Sequence, residues 1–236
     1  MRRRMTTLAA TVILALAAAP ARSAGPIVDW DPAYFYFPGA TAFNQPAGGI
    51  MRSVGIVSLY GPPLDFLNAS MPATEYSFYV DGLTSLGTSS FGPPATTIYT
   101  TFYSGGTIAI YADASPDAVF DPLPPNANVP SKFVDGGAPI LTGVFTSLLV
   151  TTNNFTAFQV GSIEGAIQWT GGSLIGLLGP AGGEPCPGLF TGGATWNTSP
   201  GVGIPGYLFR HDGKIDLQCP VPAKKSTWGR LKGLYR

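Results

Sequence analysis

"TTIYTTFYSGGTIAIYAD" occupies residues 96–113. Two runs of Thr, Ile, Tyr and Phe, side chains that suit a pleated and half-buried surface, flank Ser104-Gly105-Gly106. The pattern predicts a β-hairpin with a three-residue loop, in which a glycine at the third position supplies the left-handed bulge. That register sets Phe102 opposite Ile108 and Tyr99 opposite Tyr111. Ile98, Phe102, Ile108 and Ile110 then face a core, while Tyr99, Tyr103, Ala109 and Tyr111 share the other face. A two-residue loop would slip the pairing by one residue and mix the two sets.

Strand signals separated by turn residues continue on both sides. "VGIVSLY" (54–60) ends at Gly61-Pro62-Pro63, and "TEYSFYVDGLTSLGTSS" (74–90) reads as a hairpin through Asp81-Gly82 with Tyr76, Phe78 and Val80 on one face. Residues 114–131 hold too many prolines for a central strand and read as a long surface connection, with room for one short strand at Ala118–Phe120. "APILTGVFTSLLVTT" and "FTAFQVGSIEGAIQWTGG" supply two or three long strands, apolar on both faces in places. "SLIGLLG" (173–179) is compatible with a short buried strand or an apolar loop. "GYLFRHDGKIDLQCP" gives a further hairpin, through Asp212-Gly213. Strands at about ten-residue spacing, without an internal repeat, predict an all-β fold: a jelly-roll-like antiparallel β-sandwich.

The two ends read differently. "MRRRM" followed by "TLAATVILALAAAP" is a basic region and a short apolar run, and Ala19–Ala21 or Ala21–Ser23 offers a small-residue cleavage site. Residues 1–24 are therefore expected to be a signal peptide, residues 25–220 the β-sandwich domain and residues 221–236 a basic tail. No second apolar run reaches spanning length, so no transmembrane segment is expected in the mature chain. In "VPAKKSTWGRLKGLYR", Ser226 or Thr227 can cap a short helix that places Trp228, Leu231 and Leu234 on one stripe. So short a helix needs a partner. A frayed end, docking on the protein's own sheet and a sorting or partner-binding signal are all open for it.

The zero formal charge conceals an asymmetry. Arg2, Arg3, Arg4 and Arg22 belong to the leader, and five of the nine other basic residues lie in the last thirteen positions. Residues 25–223 keep only Arg52, Lys132, Arg210 and Lys214 against thirteen acids, a charge near −9. Such a body repels polyanions, which excludes nucleic acid as a partner. Cys186 and Cys219, the two cysteines of an exported chain, are expected to form a disulfide.

Three segments, "TTFYSGGTIAIYADASPDAVF", "SKFVDGGAPILTGVFTSLL" and a late "DGKIDL", resemble exported bacterial β-sandwich proteins of the PEP-CTERM and choice-of-anchor type. The resemblance spans about residues 74–220. It implies a secreted or cell-surface protein without catalysis, and it brings no functional residue with it. Those families end in Pro-Glu-Pro, an apolar span and an arginine cluster, and this chain lacks that ending.

Catalytic motifs are sparse. His211 is the only histidine and precedes the predicted Asp212-Gly213 turn, a setting that exposes it to water. No G-x-S-x-G elbow or phosphate loop is present. Glu164 alternates with Ile163 on a strand and is the best candidate for a glycosidase-type carboxylate. Asp113, Asp117 and Asp121 recur every four residues; calcium is one reading, and ordinary Asp/Pro turns are the other, with no cofactor required. Tyr99, Tyr103 and Tyr111 on one face would make a stacking platform for sugar rings. The leading expectation is a secreted or surface structural or interaction protein, with the periplasm as an alternative location. Its expected partner is a protein or an extracellular polysaccharide. A carbohydrate-binding module and a glycosidase are the alternatives.

Overall fold

A computed structural model describes residues 25–121, 124–155, 158–196 and 203–219. Nine strand segments follow in order: β1 (Val28–Tyr36), β2 (Ile50–Tyr60), β3 (Glu75–Phe91), β4 (Ile98–Ser104), β5 (Thr107–Asp113), β6 (Leu141–Phe155), β7 (Phe158–Gly171), β8 (Gly188–Trp196) and β9 (Phe209–Leu217). All pairings are antiparallel. β1 pairs with β2 on one side and β9 on the other, so the sheet closes on itself. The fold is an eight-stranded antiparallel barrel, and the expected β-sandwich is thereby corrected. Each connection joins neighbours in the wall, an up-and-down order without the crossovers of a jelly roll.

The ninth segment fits because β4 and β5 share one stave. β4 pairs with the second half of β3 and of β6, and β5 pairs with the first half of each. The predicted hairpin at Ser104-Gly105-Gly106 is therefore a bend within a single straight-through strand. Phe102 lies beside Leu149, and Ile108 beside Val80 and Gly143. Gly105 and Gly106 take φ of +66° and +88°, opposite Gly82 of β3 at +74°. Extra residues here change which face each following side chain occupies. Thr101 and Tyr103 point inward before the bend, and Ile108 and Ile110 after it.

The two Asp-Gly hairpins fail for the same reason. Asp81-Gly82 sits inside the 17-residue β3, and Asp212-Gly213 inside β9. At Gly213 an added Cβ would stand 2.7 Å from Trp30 Cζ2, so the indole occupies the space of the missing side chain. In a closed barrel, glycines and bulges turn the corners of long strands instead of ending them. The expected face of Tyr76, Phe78 and Val80 is present and points inward.

Eight staves leave an interior just wide enough for side chains. Here aromatic rings fill it: Phe78 meets Trp30 at 5.3 Å, Trp30 meets Phe190 at 4.7 Å, and Phe190 meets Phe145 at 5.5 Å, a chain that crosses the barrel. Phe37 and Gln45 from the β1–β2 connection are buried at one mouth, where the Tyr103 hydroxyl donates to Gln45 Oε1. Leu64, Leu178 and Cys186, from connections at the opposite end, are buried there.

Part of the outer wall is also covered. The connection between β5 and β6 contains α1 (Ser131–Val134) and no strand at Ala118–Phe120. It packs Phe120, Ala127 and Phe133 with Tyr34, Val54 and Tyr207. This second core explains why β2 is apolar on both faces. Residues 173–179 contain a 3-10 turn, Ile175–Leu177. No helix among the described residues is long and apolar enough to cross a membrane. Residues 1–24 and 221–236, with the expected signal peptide and helical tail, lie outside the described residues, which include no C-terminal helix.

Candidate functional site

Three places on this scaffold gather chemistry: a polar relay in the core, a furrow across β1, β9, β8 and β7, and a bare wall over β3, β4 and β6.

In the relay, Trp30 Nε1 donates to His211 Nδ1 at 3.1 Å, and His211 Nε2 meets Ser53 Oγ at 3.1 Å. Ser53 spends its one proton on the Tyr34 carbonyl at 3.0 Å, so it accepts from Nε2. The ring is thereby fixed as the neutral Nε2–H tautomer with both nitrogens engaged. Phe35, Phe78, Phe190 and Phe209 surround it, and burial pulls its pKa down to about 3. His211 is 1% exposed, which corrects the expectation of a solvent-facing turn residue. The parity of β9 explains the change, since Phe209, His211, Gly213 and Ile215 all share the inward face. A histidine so enclosed holds the core together and is unavailable to a substrate.

The furrow is an open depression of about 520 Å³ lined by Asp29, Ser162, Glu164, Thr191, Asp212 and Lys214 over glycines 192, 193 and 213. Lys214 is bound to Asp216 at 2.9 Å, and among the described residues Asp29, Glu164 and Asp212 form no ion pair. Partial burial raises the pKa of Asp29, reinforced by Asp212 and Asp31 and opposed by the Trp30 amide and Lys214. Glu164, the carboxylate singled out in the sequence, faces this furrow on the convex outside of the barrel.

The bare wall follows from the register. With Leu86 in the irregular stretch of β3 between Ser85 and Thr88, Phe91, Ile98, Asn153 and Val160 lie in one transverse row and Phe102 and Leu149 in another. Between them runs a row of hydroxyls, Ser89, Thr100, Thr151 and Ser162. Phe91 is 81% exposed and Phe102 53%. Residues 84–91, 98–104 and 147–155 contain no charged side chain.

The remaining sequence candidates separate into groups. Cys186 and Cys219 are joined, with Cα atoms 4.8 Å apart, tying the β7–β8 connection to the end of β9. Tyr99, Tyr103 and Tyr111 do not form one platform. Tyr103 is 2% exposed inside the barrel, Tyr99 packs on Phe43 at 4.8 Å, and Tyr111 is half-buried on the outside. Asp113 and Asp117 approach each other and are joined by Glu75, their carboxylate oxygens all within 4.8 Å, a set that could ligate a cation. Asp121 instead pairs with Lys132 at 3.2 Å. Burial raises the pKa of Glu75, and Asp113 and Asp117 add to that, while the Ala118 amide bonded to Oε1 opposes it. Trp228, Leu231 and Leu234 lie outside the described residues.

Sequence reasoning missed Trp30 and Ser53 as partners of His211, and Glu75 as the third carboxylate. Only closure of β1 on β9 brings the first set together. Glu75 opposes Asp113 because β3 and β5 run side by side. These features define a filled, closed up-and-down barrel. No family model, curated protein or solved structure matches the chain.

Proposed function

We propose that this chain is an exported, non-catalytic interaction protein that acts at or beyond the cell surface through the outside of its barrel. The carrying observation is the interior: among the described residues, rings packed from opposite staves occupy it, and the single histidine has both nitrogens engaged. Recognition then falls to the outer wall, where exposed aromatic and aliphatic side chains stand in an uncharged field. The basic and apolar start of the sequence, the paired cysteines and the resemblance to exported PEP-CTERM-type proteins support the same reading.

The wall does not suit the bilayer as a solvent. Asp81 and Asp212 stand on it mid-strand and Asp29, Arg52 and Arg210 nearer strand ends, while the interior is mostly apolar around the His211 relay, the inverse of barrels that span outer membranes. The test is fractionation of cells expressing a tagged full-length chain, with thiol counting on the recovered protein. The expected result is disulfide-bonded protein in the envelope or medium. Reduced protein retained in the cytoplasm would overturn the proposal.

A further inference from the structure

We infer that the bare wall over β3, β4 and β6 is a self-association surface whose partner is a second copy of this chain. Two features select that occupant. A body near −9 repels its own kind over most of its surface, but residues 84–91, 98–104 and 147–155 bring no charge, so two copies can meet there without that cost. The pattern is also self-complementary. A row of Phe102 and Leu149, with Leu86 in the irregular stretch of β3 beside it, and a second row of Phe91, Ile98 and Asn153 lie on either side of the Ser89–Thr100–Thr151 row. A two-fold axis along the hydroxyl row sets the first apolar row of one copy on the second row of the other, an isologous contact. Ser89 Oγ and Thr100 Oγ1 are already bonded to each other at 2.8 Å, so these hydroxyls reach the contact with a partner in hand.

The wall is convex, and three strands span only about 10–15 Å. The contact is therefore smaller than a standard interface and the dimer reversible, with a dissociation constant on the order of 100 µM. The inference deepens the proposed role, resting on it only in taking the outer wall as the working surface. Cytoplasmic retention would defeat the proposed role and leave a measured dimer intact, whereas a monomer would defeat the dimer and leave export intact.

The experiment is sedimentation equilibrium on the purified protein from about 5 to about 500 µM. The chain should pass from monomer to dimer over that range. Thr100→Lys and Thr100→Glu, placed on the axis, should each remain monomeric, and an equimolar mixture of the two should restore the dimer. Phe102→Ser, at an outward position, should weaken association at least about tenfold. Unchanged melting certifies the fold of each variant, and Phe102→Ser alone decides the matter if a Thr100 variant does not fold. A wild-type monomer at the highest concentration would overturn the inference. So would dimers that survive these substitutions, or a mixture that stays monomeric.

Discussion

Trp30 Nε1 donates to Nδ1 of His211 across 3.1 Å, linking the first strand of the barrel to the last inside its core. Protonating the imidazole puts a proton on Nδ1, where it opposes the indole N–H, and no carboxylate faces the ring from β1, β2, β3, β8 or β9. What those strands present to it is Trp30, Phe35, Ser53, Phe78, Phe190 and Phe209.

Stability should therefore fall in mild acid. The folded pKa of His211, about 3, lies below its ordinary 6.5. Its contribution is present above about pH 6.5 and is lost as pH falls toward 3, on the order of 4 kcal/mol in all. Urea midpoints measured from pH 7 to pH 4 should decline, and His211→Gln, less stable at pH 7, should show a much flatter profile. Equal slopes for the two proteins would remove His211 as the cause.

Ser53→Ala leaves the Nε2–H and the Tyr34 carbonyl without their shared hydroxyl. A loss of about 1–3 kcal/mol is expected by chemical denaturation at pH 7. The cost should shrink in the His211→Gln background if the two residues act as one unit.

The bend between β4 and β5 can be tested by comparing its two glycines. A Cβ at Gly106 would meet Leu83 Cγ and Cδ2 at 2.9 Å, whereas at Gly105 the nearest atom is 4.0 Å away. Gly105→Ala carries only the positive-φ penalty, about 1–2 kcal/mol. Gly106→Ala adds the clash and should cost clearly more in denaturant melts.

Much of the strand inventory was legible in the sequence: β2, β6, β7 and the end of β2 at Gly61 fall where alternation and turn residues place them. Closure was not. A sandwich and a barrel use the same alternation, and they differ in whether β1 pairs with β9, a contact about 180 residues apart in the chain. Gly82, Gly105-Gly106 and Gly213 resemble hairpin turns in the sequence because positive-φ and side-chain-free positions serve both turns and barrel bends. That single ambiguity swaps the faces of Phe102 and Tyr103, places His211 in water, and assembles a tyrosine face that the bend in fact divides.

The carboxylates of Glu75, Asp113 and Asp117 repel one another. Because the folded pKa of Glu75 is raised, its favourable contribution exists below its ordinary value near 4.5 and is lost as pH rises. Glu75→Gln, which keeps an acceptor for the Ala118 amide, should raise the melting temperature at pH 7 and not at pH 3. Millimolar calcium should leave wild-type melting unchanged. Stabilisation by calcium that disappears in Glu75→Gln would instead make these residues ligands.

The disulfide closes a separation of 33 residues, which the chain-entropy model values at about 3–4 kcal/mol. Replacing both cysteines by serine should lower the melting temperature by roughly ten degrees. It should not change the strand content seen by circular dichroism, because β8 and β9 still pair along their full length.

The most direct test of the closed barrel is a map of backbone nuclear Overhauser contacts in solution. It should show Ala33 beside His211, Phe102 beside Leu149, and Ile108 beside Val80. A contact between Phe102 and Ile108, with none between Ala33 and His211, would restore the hairpin and open the barrel.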